Sequence, residues 1–144
     1  MIRAATLGDI HEVLGIARDQ ARLYRGLKMD VEKMHQVITQ AISSARHFCW
    51  VEVNDQDYAT GVLIGITSHN LWAQRQNCLV ALWAAIVPGE GRKLLQQFIE
   101  WVQSRRAIRL AGFVPDSNHI DWRSYAIAER MGFKRNGGAF LLYN

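Results

Sequence analysis

The spacing of apolar residues predicts two amphipathic helices near the start of the chain. A short strand at residues 2–6 is predicted ahead of them. The first helix begins after Asp9, which we interpret as its N-cap with Glu12 completing a capping box, and it ends at Gly26. Asp30 caps the second helix. The apolar stripe of that helix consists of Val31, Met34, Ile38, Ala41, Ile42 and Ala45.

The period of the pattern then shortens to that of strands. Residues 48–53 are rich in β-branched and aromatic side chains and stop at the turn cluster 54–57, and residues 58–67 predict the returning strand of a hairpin. Residues 78–86 are continuously apolar, which is typical of a strand buried on both faces. A third helix follows. Its inward positions are predicted to be Leu94, Leu95, Phe98, Ile99 and Val102.

The last third of the chain predicts a strand at 108–114, a helix at about 121–131 closed by Gly132, and a short strand at 139–143. No repeats, linkers or low-complexity stretches interrupt the pattern. The element order β-α-α-β-β-β-α-β-α-β therefore predicts an α/β fold in which helices cover both faces of a sheet. We expect residues 1–144 to form a single domain.

Composition and cysteine spacing exclude several classes of protein. With 49% apolar and 21% charged residues, the chain is neither disordered nor fibrous. Its longest apolar run is too short to cross a membrane, and its first residues lack the profile of a signal peptide, so we expect a cytoplasmic protein without a membrane partner. Cys49 and Cys78 lack metal-binding spacing, so we interpret both as small apolar strand residues and expect no metal.

The charge balance adds a preference for an anionic partner. The formal net charge is +4 and the pI is near 9.4, which suits a nucleotide cofactor or a nucleic acid. Lysine and arginine are scattered along the chain and form no long block, so charge alone does not choose between these partners.

Residues 87–95 carry the strongest chemical signal. An apolar strand leads into a turn containing Gly89 and Gly91, and a helix starts at once. Glycine permits close approach of a ligand, and the free amides of a helix start favour an anion by about 0.3–1 kcal/mol. Arg92 and Lys93 add positive charge. We therefore predict that this turn binds a phosphate-bearing cofactor, with a plain strand-to-helix connection as the alternative. The spacing matches neither the dinucleotide fingerprint nor the P-loop.

The order of elements, the turn and the late pair Gly132 and Phe133 together resemble the GNAT N-acetyltransferase superfamily. The resemblance covers nearly the whole chain and suggests a compact member, such as those encoded by phages. It implies a GNAT-like mixed, mostly antiparallel central sheet and transfer of an acyl group, usually acetyl, from coenzyme A to an amine. By this resemblance Ile86 and Val87 would contact the pantetheine arm of acetyl-CoA. The residues around its pyrophosphate would be Gly89, Glu90, Gly91, Arg92 and Lys93.

The sequence departs from the family pattern at the turn. The family motif is Q/R-x-x-G-x-G/A, and here Ile86 occupies the position of the Gln or Arg. Arg92 is our candidate for the missing positive charge.

A second departure concerns the general acid. In the family's later motif, N-x-x-A/S-x-x-x-Y-x-x-x-G-F, Asp121 takes the Asn position and Ser124 the small-residue position, so both would join the cofactor site. Ala128 stands where the family has the tyrosine that protonates the leaving thiolate. Tyr125 lies one turn earlier, within about 60° on a helix, and is our candidate acid, with a packing role as the alternative.

A general base is also missing from its usual place, because the fourth strand contains no glutamate. Glu52 and His119 are the candidates, with a solvent-facing role for Glu52 and a bystander role for His119 as the alternatives. If neither acts, alignment of a neutral amine supplies much of the acceleration. We expect direct transfer in a ternary complex, without a covalent enzyme intermediate. We interpret the remaining histidines as surface residues: His11, His35, His47 and His69.

Two other classes of function stay open. The missing tyrosine and glutamate allow a catalytically silent GNAT-like binding or structural protein. The basic pI, with Arg105, Arg106 and Arg109, allows a nucleic-acid binder, the less favoured alternative because the five tryptophans are not interleaved with basic residues. The acceptor would be an unidentified amine on a small molecule or a protein, and a homodimer is compatible with the sequence. Segments 23–30 and 69–77 are the predicted acceptor groove, with Tyr24, Arg25, Trp72 and Arg75 as candidate lining residues.

Overall fold

The computed structural model describes residues 1–23, 28–72, 74–112 and 122–134, with only the backbone of Trp122. Within these ranges the chain forms five strands and four α-helices. The strands are β1 (Ile2–Ala4), β2 (Phe48–Val53), β3 (Ala59–His69), β4 (Gln76–Ala85) and β5 (Ile108–Gly112). The helices are α1 (Ile10–Ala21), α2 (Val31–Ser43), α3 (Glu90–Gln103) and α4 (Trp122–Arg130), and a short 3-10 helix (Leu7–Asp9) precedes α1.

The five strands form one sheet in the order β1-β2-β3-β4-β5. The first three pairings are antiparallel, and β4 and β5 run parallel. The helix α3 makes the crossover between these two strands, as parallel neighbours require. The predicted mixed, mostly antiparallel sheet with helices on both faces is therefore confirmed.

The strand β4 has two unlike halves. Its first four residues pair with β5, from Gln76 opposite Ile108 to Leu79 opposite Gly112. In the described part of the chain, β5 does not pair with β4 beyond that point, while β3 stays paired with it to Ala85. Among the described residues, the second half of β4, residues 80–85, therefore has no partner strand on the side of β5, and we call it the open half of β4.

A β-bulge marks the boundary between these halves. Ile64 of β3 faces Leu82, and the next residue, Gly65, faces Val80, so Ala81 is an extra residue in β4. An extra residue bends a strand and increases its twist. The bend lies just beyond Leu79, the last residue of β4 that pairs with β5 in the described part of the chain.

One face of the sheet packs against α1 and α2 through an aliphatic core. Fully buried members include Val13 of α1, Ile38 of α2 and Val62 of β3. The stripe predicted for α2 is confirmed for Ile38 and Ala41, whereas Val31 is largely exposed at the first turn. The side chain of Asp30 caps α2 as predicted, accepting a hydrogen bond from the Lys33 amide at 3.0 Å.

The other face packs against α3 and α4 through a core rich in aromatic rings. The ring of Phe48 lies 5.3 Å from that of Phe98 and 5.4 Å from that of Trp101, both edge-on. Edge-to-face pairs contribute about 0.5–1.5 kcal/mol beyond the area they bury. Leu94, Leu95 and Phe98 are fully buried, and Ile99 and Val102 pack partly, which confirms the predicted inward face of α3.

Two sequence predictions about this framework are wrong. The strand β4 is not buried on both faces: Leu79 is 42% exposed, and Ala81 and Ala85 are also exposed. Because Leu79 pairs with Gly112 of β5, its exposure reflects incomplete cover of the sheet faces and not a missing edge partner. The capping box of Asp9 and Glu12 also does not form, because the N-cap of α1 makes no side-chain hydrogen bond.

The carboxylate of Asp9 has other partners. It accepts hydrogen bonds from Arg3 Nη1 at 2.8 Å and Nη2 at 2.9 Å, and from the Thr6 amide at 2.7 Å. The hydrogen bonds from Arg3, which outweigh the effect of burial, hold the pKa of Asp9 below its usual value. Asp9 therefore joins β1 to the start of α1.

The hairpin between β2 and β3 forms as predicted. Asn54 Oδ1 accepts hydrogen bonds from the amides of Gln56 at 2.9 Å and Tyr58 at 3.0 Å, and Asp57 takes the left-handed conformation with φ of +62°. The predicted end of the first helix at Gly26 is wrong, because α1 already ends at Ala21, where the Leu23 amide donates to the Gln20 carbonyl at 3.0 Å in a tighter turn. Gly26 itself, residues 113–114 of the predicted fifth strand and the predicted last strand at 139–143 lie outside the described residues.

Candidate functional site

The predicted turn is a short connection between β4 and α3. The Ile86 amide donates to the Thr60 carbonyl at 2.8 Å, which extends the pairing with β3 by one residue. Gly89 then takes the left-handed conformation, with φ of +91°, as the N-cap of α3. A residue with a side chain is strained at this φ, and so the first glycine is required by the backbone itself. Ile86 and Val87 are exposed beside it.

The amides at the start of α3 are oriented for an anion. The first hydrogen bond of the helical ladder runs from the Lys93 amide to the Gly89 carbonyl at 3.5 Å. The amides of Gly91 and Arg92 precede this bond, and Gly89 has no side chain that could cap them. Anionic groups bind helix starts of this kind through such amides and the helix dipole.

The second glycine of the turn has a different role from the first. The indole Nε1 of Trp83 donates a hydrogen bond to the Gly91 carbonyl at 2.8 Å. A Cβ at Gly91 would lie 3.2 Å from that nitrogen, so the indole fits against bare backbone. The side chain of Trp83 thus joins the open half of β4 to the first turn of α3.

The charges around the turn are mixed. The side chains of Arg92 and Lys93 are exposed and add positive charge at the helix start. Glu90 Oε1 accepts a hydrogen bond from Thr60 Oγ1 at 3.2 Å, so its carboxylate is directed toward β3. Glu90 Oε2 is buried without a hydrogen-bond partner among the described residues. The exposed side of the turn is therefore the cationic side.

The structure places Glu52 away from the parting of β4 and β5. Register aligns Glu52 with Gly61, and Gly61 with Ala85 at the last position of β4. The side chain of Glu52 is only 8% exposed, and its Oε1 lies 2.6 Å from the amine of Met1. The interpretation of Glu52 as a solvent-facing residue is wrong, because cross-strand pairing with β1 encloses it.

The candidates from the last helix are placed only in part. Ser124 and Tyr125 are half-buried on α4, whereas Ala128, at the family's tyrosine position, is 2% exposed in the core beneath α3. His119 and Asp121 lie outside the described residues, as do Tyr24 and Arg25 of the predicted acceptor groove.

The two cysteines are core residues, as the sequence analysis predicts. Burial raises the pKa of Cys49 to about 12 and raises the pKa of Cys78, with a smaller opposing effect from a hydrogen bond to Thr67. Both side chains therefore remain protonated thiols at neutral pH, which is the unreactive form.

The histidines outside this site are surface residues with one exception. His11, His35 and His69 are exposed as expected. His47 is half-buried, and its Nδ1 accepts a hydrogen bond from the Thr67 amide at 3.0 Å, so the surface interpretation is wrong for this residue. Burial, and next the positive charge of Arg46, lower the pKa of His47.

Sequence reasoning missed Trp83, Thr60 and the extra residue Ala81. Trp83 had a usable signal, since a tryptophan in a strand next to a glycine turn is expected to use its N–H. No sequence signal marks the bulge, because it depends on the register of two strands. In the described residues no group of three potential metal ligands occurs and no helix is long and apolar enough to cross a membrane.

Solved structures of acetyltransferases have the same fold. A proposed acetyltransferase from Agrobacterium tumefaciens is 16% identical, with 100% of this chain and 99% of that chain covered and a TM-score of 0.75. A proposed acetyltransferase from Clostridium difficile 630 is 11% identical, with 100% and 96% covered and a TM-score of 0.79.

An aminoglycoside 6'-N-acetyltransferase from Acinetobacter baumannii is also similar, at 15% identity, with 100% of this chain and 97% of that chain covered and a TM-score of 0.72. At these identities the likeness shows the fold, which is that of the GNAT acetyltransferases. No protein-family model and no curated protein sequence matches the chain.

Proposed function

We propose that the protein is an acyl-CoA-dependent N-acyltransferase, with acetyl-CoA as the donor and an amine as the acceptor, and that residues 1–144 act as a single domain. The observation that supports this most is the start of α3, where Gly89 takes the left-handed conformation and no side chain of the described residues caps the amides of Gly91 and Arg92. The shared fold with acetyltransferases adds independent support.

The residues present fit coenzyme A. The pyrophosphate suits the amides of Gly91 and Arg92 together with the exposed cations of Arg92 and Lys93. The pantetheine arm carries amide groups in an extended chain. Beyond Leu79 the edge of β4 has no partner strand among the described residues on the side of β5, so it offers backbone groups to such a chain, with Ile86 and Val87 at its outer end. When bound, the cofactor supplies an acyl group activated as a thioester.

We infer that the protein acts by orientation rather than by covalent catalysis. A neutral amine held against the thioester attacks directly, and such alignment is worth several kcal/mol of the barrier. Cys49 and Cys78 are buried thiols with raised pKa values, so neither is suited to carry the acyl group. Tyr125, half-buried on α4, is the proposed proton donor to the leaving thiolate.

The proposed base is His119, with proximity alone as the alternative, and we propose Asp121 and Ser124 as further cofactor contacts. We do not assign the base to Glu52, since its carboxylate pairs with the Met1 amine at the level of Ala85. The acceptor is an unidentified amine. Aminoglycosides are the first acceptors to test, because one protein of the same fold is an aminoglycoside 6'-N-acetyltransferase.

Titration calorimetry with acetyl-CoA tests the proposal. We expect a dissociation constant in the micromolar range for the wild type and a loss of at least about tenfold in Arg92→Glu, which places an acidic group at the helix start. Lys33→Glu is the control, since it makes the same change of charge at an exposed position of α2. No heat at millimolar acetyl-CoA, or equal losses in both variants, would overturn the proposed site.

A catalytically silent protein of this fold is the second candidate. The observation that favours it is Ala128, which fills the position of the usual acid with a buried methyl group. Release of free thiol from acetyl-CoA over a panel of amines separates the candidates. Turnover on any amine, reduced in Tyr125→Phe, supports the enzyme, whereas binding without turnover on the whole panel supports the silent protein.

A further inference from the structure

Four arginines gather at the end of β4 opposite the turn. Arg75 directly precedes β4, Arg105 and Arg106 lie between the end of α3 and the start of β5, and Arg109 is the second residue of β5. All four are exposed. We call these four residues the arginine corner.

The fold draws Arg75 into this group. Its Nε donates to the Arg106 carbonyl at 3.1 Å and its Nη2 donates to the Ile108 carbonyl at 3.0 Å, across 31 and 33 residues of sequence. These carbonyls orient the guanidinium but carry no formal charge. The contacts therefore bring a fourth cation to the segment that already holds three.

No carboxylate of the described residues forms an ion pair with the arginine corner. The nearest acid along α3 is Glu100, whose oxygens accept hydrogen bonds from Gln96 at 2.9 Å and Gln97 at 3.4 Å. The four charges equal the whole formal excess of the chain, which is +4. Like charges held together without counter-charges favour a polyanion from outside.

The side chains also have the chemistry that phosphodiesters prefer. A guanidinium is planar and always charged, and it can donate two parallel hydrogen bonds to one phosphate. The guanidinium of Arg105 lies over the ring of Trp101, 4.4 Å from its centroid, which holds it in a fixed plane. Four arginines, one of them stacked on a tryptophan, suit a chain of phosphates better than isolated carboxylates.

We propose that the arginine corner binds the phosphate backbone of a nucleic acid. The surface is separate from the proposed cofactor turn, since the two lie at opposite ends of β4, about 30 Å apart at the rise of a strand. Occupation of one does not exclude occupation of the other. The proposal does not depend on acyl transfer.

Fluorescence anisotropy with a labelled 20-nucleotide oligonucleotide, single-stranded and duplex, tests the proposal. In 50 mM salt we expect Arg105→Gln/Arg106→Gln to weaken binding at least about fivefold. We also expect the slope of log K against log salt to become smaller by about two, because each of the two arginines would neutralise one phosphate. Arg18→Gln/Lys33→Gln removes the same charge from exposed positions of α1 and α2, and should change affinity less than about twofold. Circular dichroism checks that both variants stay folded.

Three outcomes would overturn the proposal. One is the absence of binding by the wild type in 50 mM salt. Another is an equal loss in the two double variants, which would make binding a matter of net charge. The third is competition by polyglutamate or by vesicles of anionic lipid as strong as by unlabelled oligonucleotide, which would assign the arginine corner to an acidic protein or a membrane surface instead.

Discussion

The two ends of β4 are both suited to anions, but by different physical means. At the turn the groups are backbone amides, fixed by the left-handed conformation of Gly89 and by the hydrogen bond between Trp83 and Gly91. At the arginine corner they are side-chain guanidinium groups, of which one is held by carbonyls and one by a ring.

The two ends of β4 therefore tolerate different substitutions. An amide site survives most side-chain substitutions, because its donors belong to the backbone, and it acts at short range on a ligand that reaches the helix start. A guanidinium site depends on each arginine and on the salt concentration. Four predictions test this difference, and the one with the largest expected effect comes first.

The helix α3 begins at the turn and ends next to the arginine corner, so substitution of its buried residue Phe98 should have the largest effect. Phe98 is fully buried and packs edge-on against Phe48. We expect Phe98→Ala to lower the free energy of unfolding in urea by about 3–5 kcal/mol and to weaken the binding of both ligands. Gln96→Ala, on the exposed side of the same helix, should stay within about 0.5 kcal/mol. A decrease below about 1 kcal/mol for Phe98→Ala would contradict the packing described.

The contact between α3 and the sheet at Gly65 leaves no room for an added methyl group. A Cβ at Gly65 would lie 2.7 Å from Phe98 Cε2 and 3.0 Å from Cys78 Sγ. We expect Gly65→Ala to destabilise the fold by about 1–3 kcal/mol through overpacking. Gly15→Ala is the matched control: no atom lies within 4 Å of the added Cβ, and alanine suits a helix, so stability should rise by about 0.5–1 kcal/mol. Equal effects of the two substitutions would refute this account.

Trp83→Phe should weaken binding at the turn without changing binding at the arginine corner. It keeps a ring at the open half of β4 but removes the N–H that binds Gly91. A hydrogen bond of this kind contributes about 0.5–1.5 kcal/mol, so acetyl-CoA should bind about two- to tenfold more weakly in calorimetry. Oligonucleotide binding should be unchanged. Equal weakening of both ligands would mean that Trp83 supports the whole fold and not the turn.

A decrease in pH should lower the stability of the fold before it changes the charge of the turn or of the arginine corner. The reason is that amides and guanidinium groups do not titrate between pH 5 and 8. His47 is unprotonated at Nδ1 where it accepts from the Thr67 amide, and its folded pKa is lowered. The unfolded chain then binds more protons below about pH 6.5, so stability should fall as the pH drops through that range. In His47→Asn, which keeps an acceptor, urea titrations should show a smaller fall between pH 6.5 and 5. An unchanged loss of stability between pH 6.5 and 5 would mean that a group other than His47 causes it.

Local patterns in the sequence predicted much of this fold. The inward face of α3, the cap at Asp30 and the hairpin at Asn54 follow from spacing and turn chemistry within a few residues. The turn at Gly89 was found in the same way, because a left-handed N-cap needs glycine.

Contacts between distant residues could not be predicted. The pairing of Asp9 with Arg3, the enclosure of Glu52 by β1 and the docking of Arg75 on the Ile108 carbonyl all depend on which strands become neighbours. A local interpretation therefore gave Asp9 and Glu52 the roles typical of isolated residues, an N-cap and a solvent-facing side chain. The roles proposed for Tyr125 and His119 stay predictions.

The number of residues in β4 determines the bulge at Ala81. The last pair that the described residues form between β4 and β5, at Leu79, lies next to a length difference of one residue between β3 and β4, at Ala81. The bulge depends on how many residues β4 contains and not on the chemistry of their side chains. Exchange of Ala81 for serine should preserve the gap, while deletion of Ala81 would keep each neighbour on its face of the sheet but straighten the strand. The gap proposed for the pantetheine arm thus depends on one extra residue in β4 and not on the side chain of that residue.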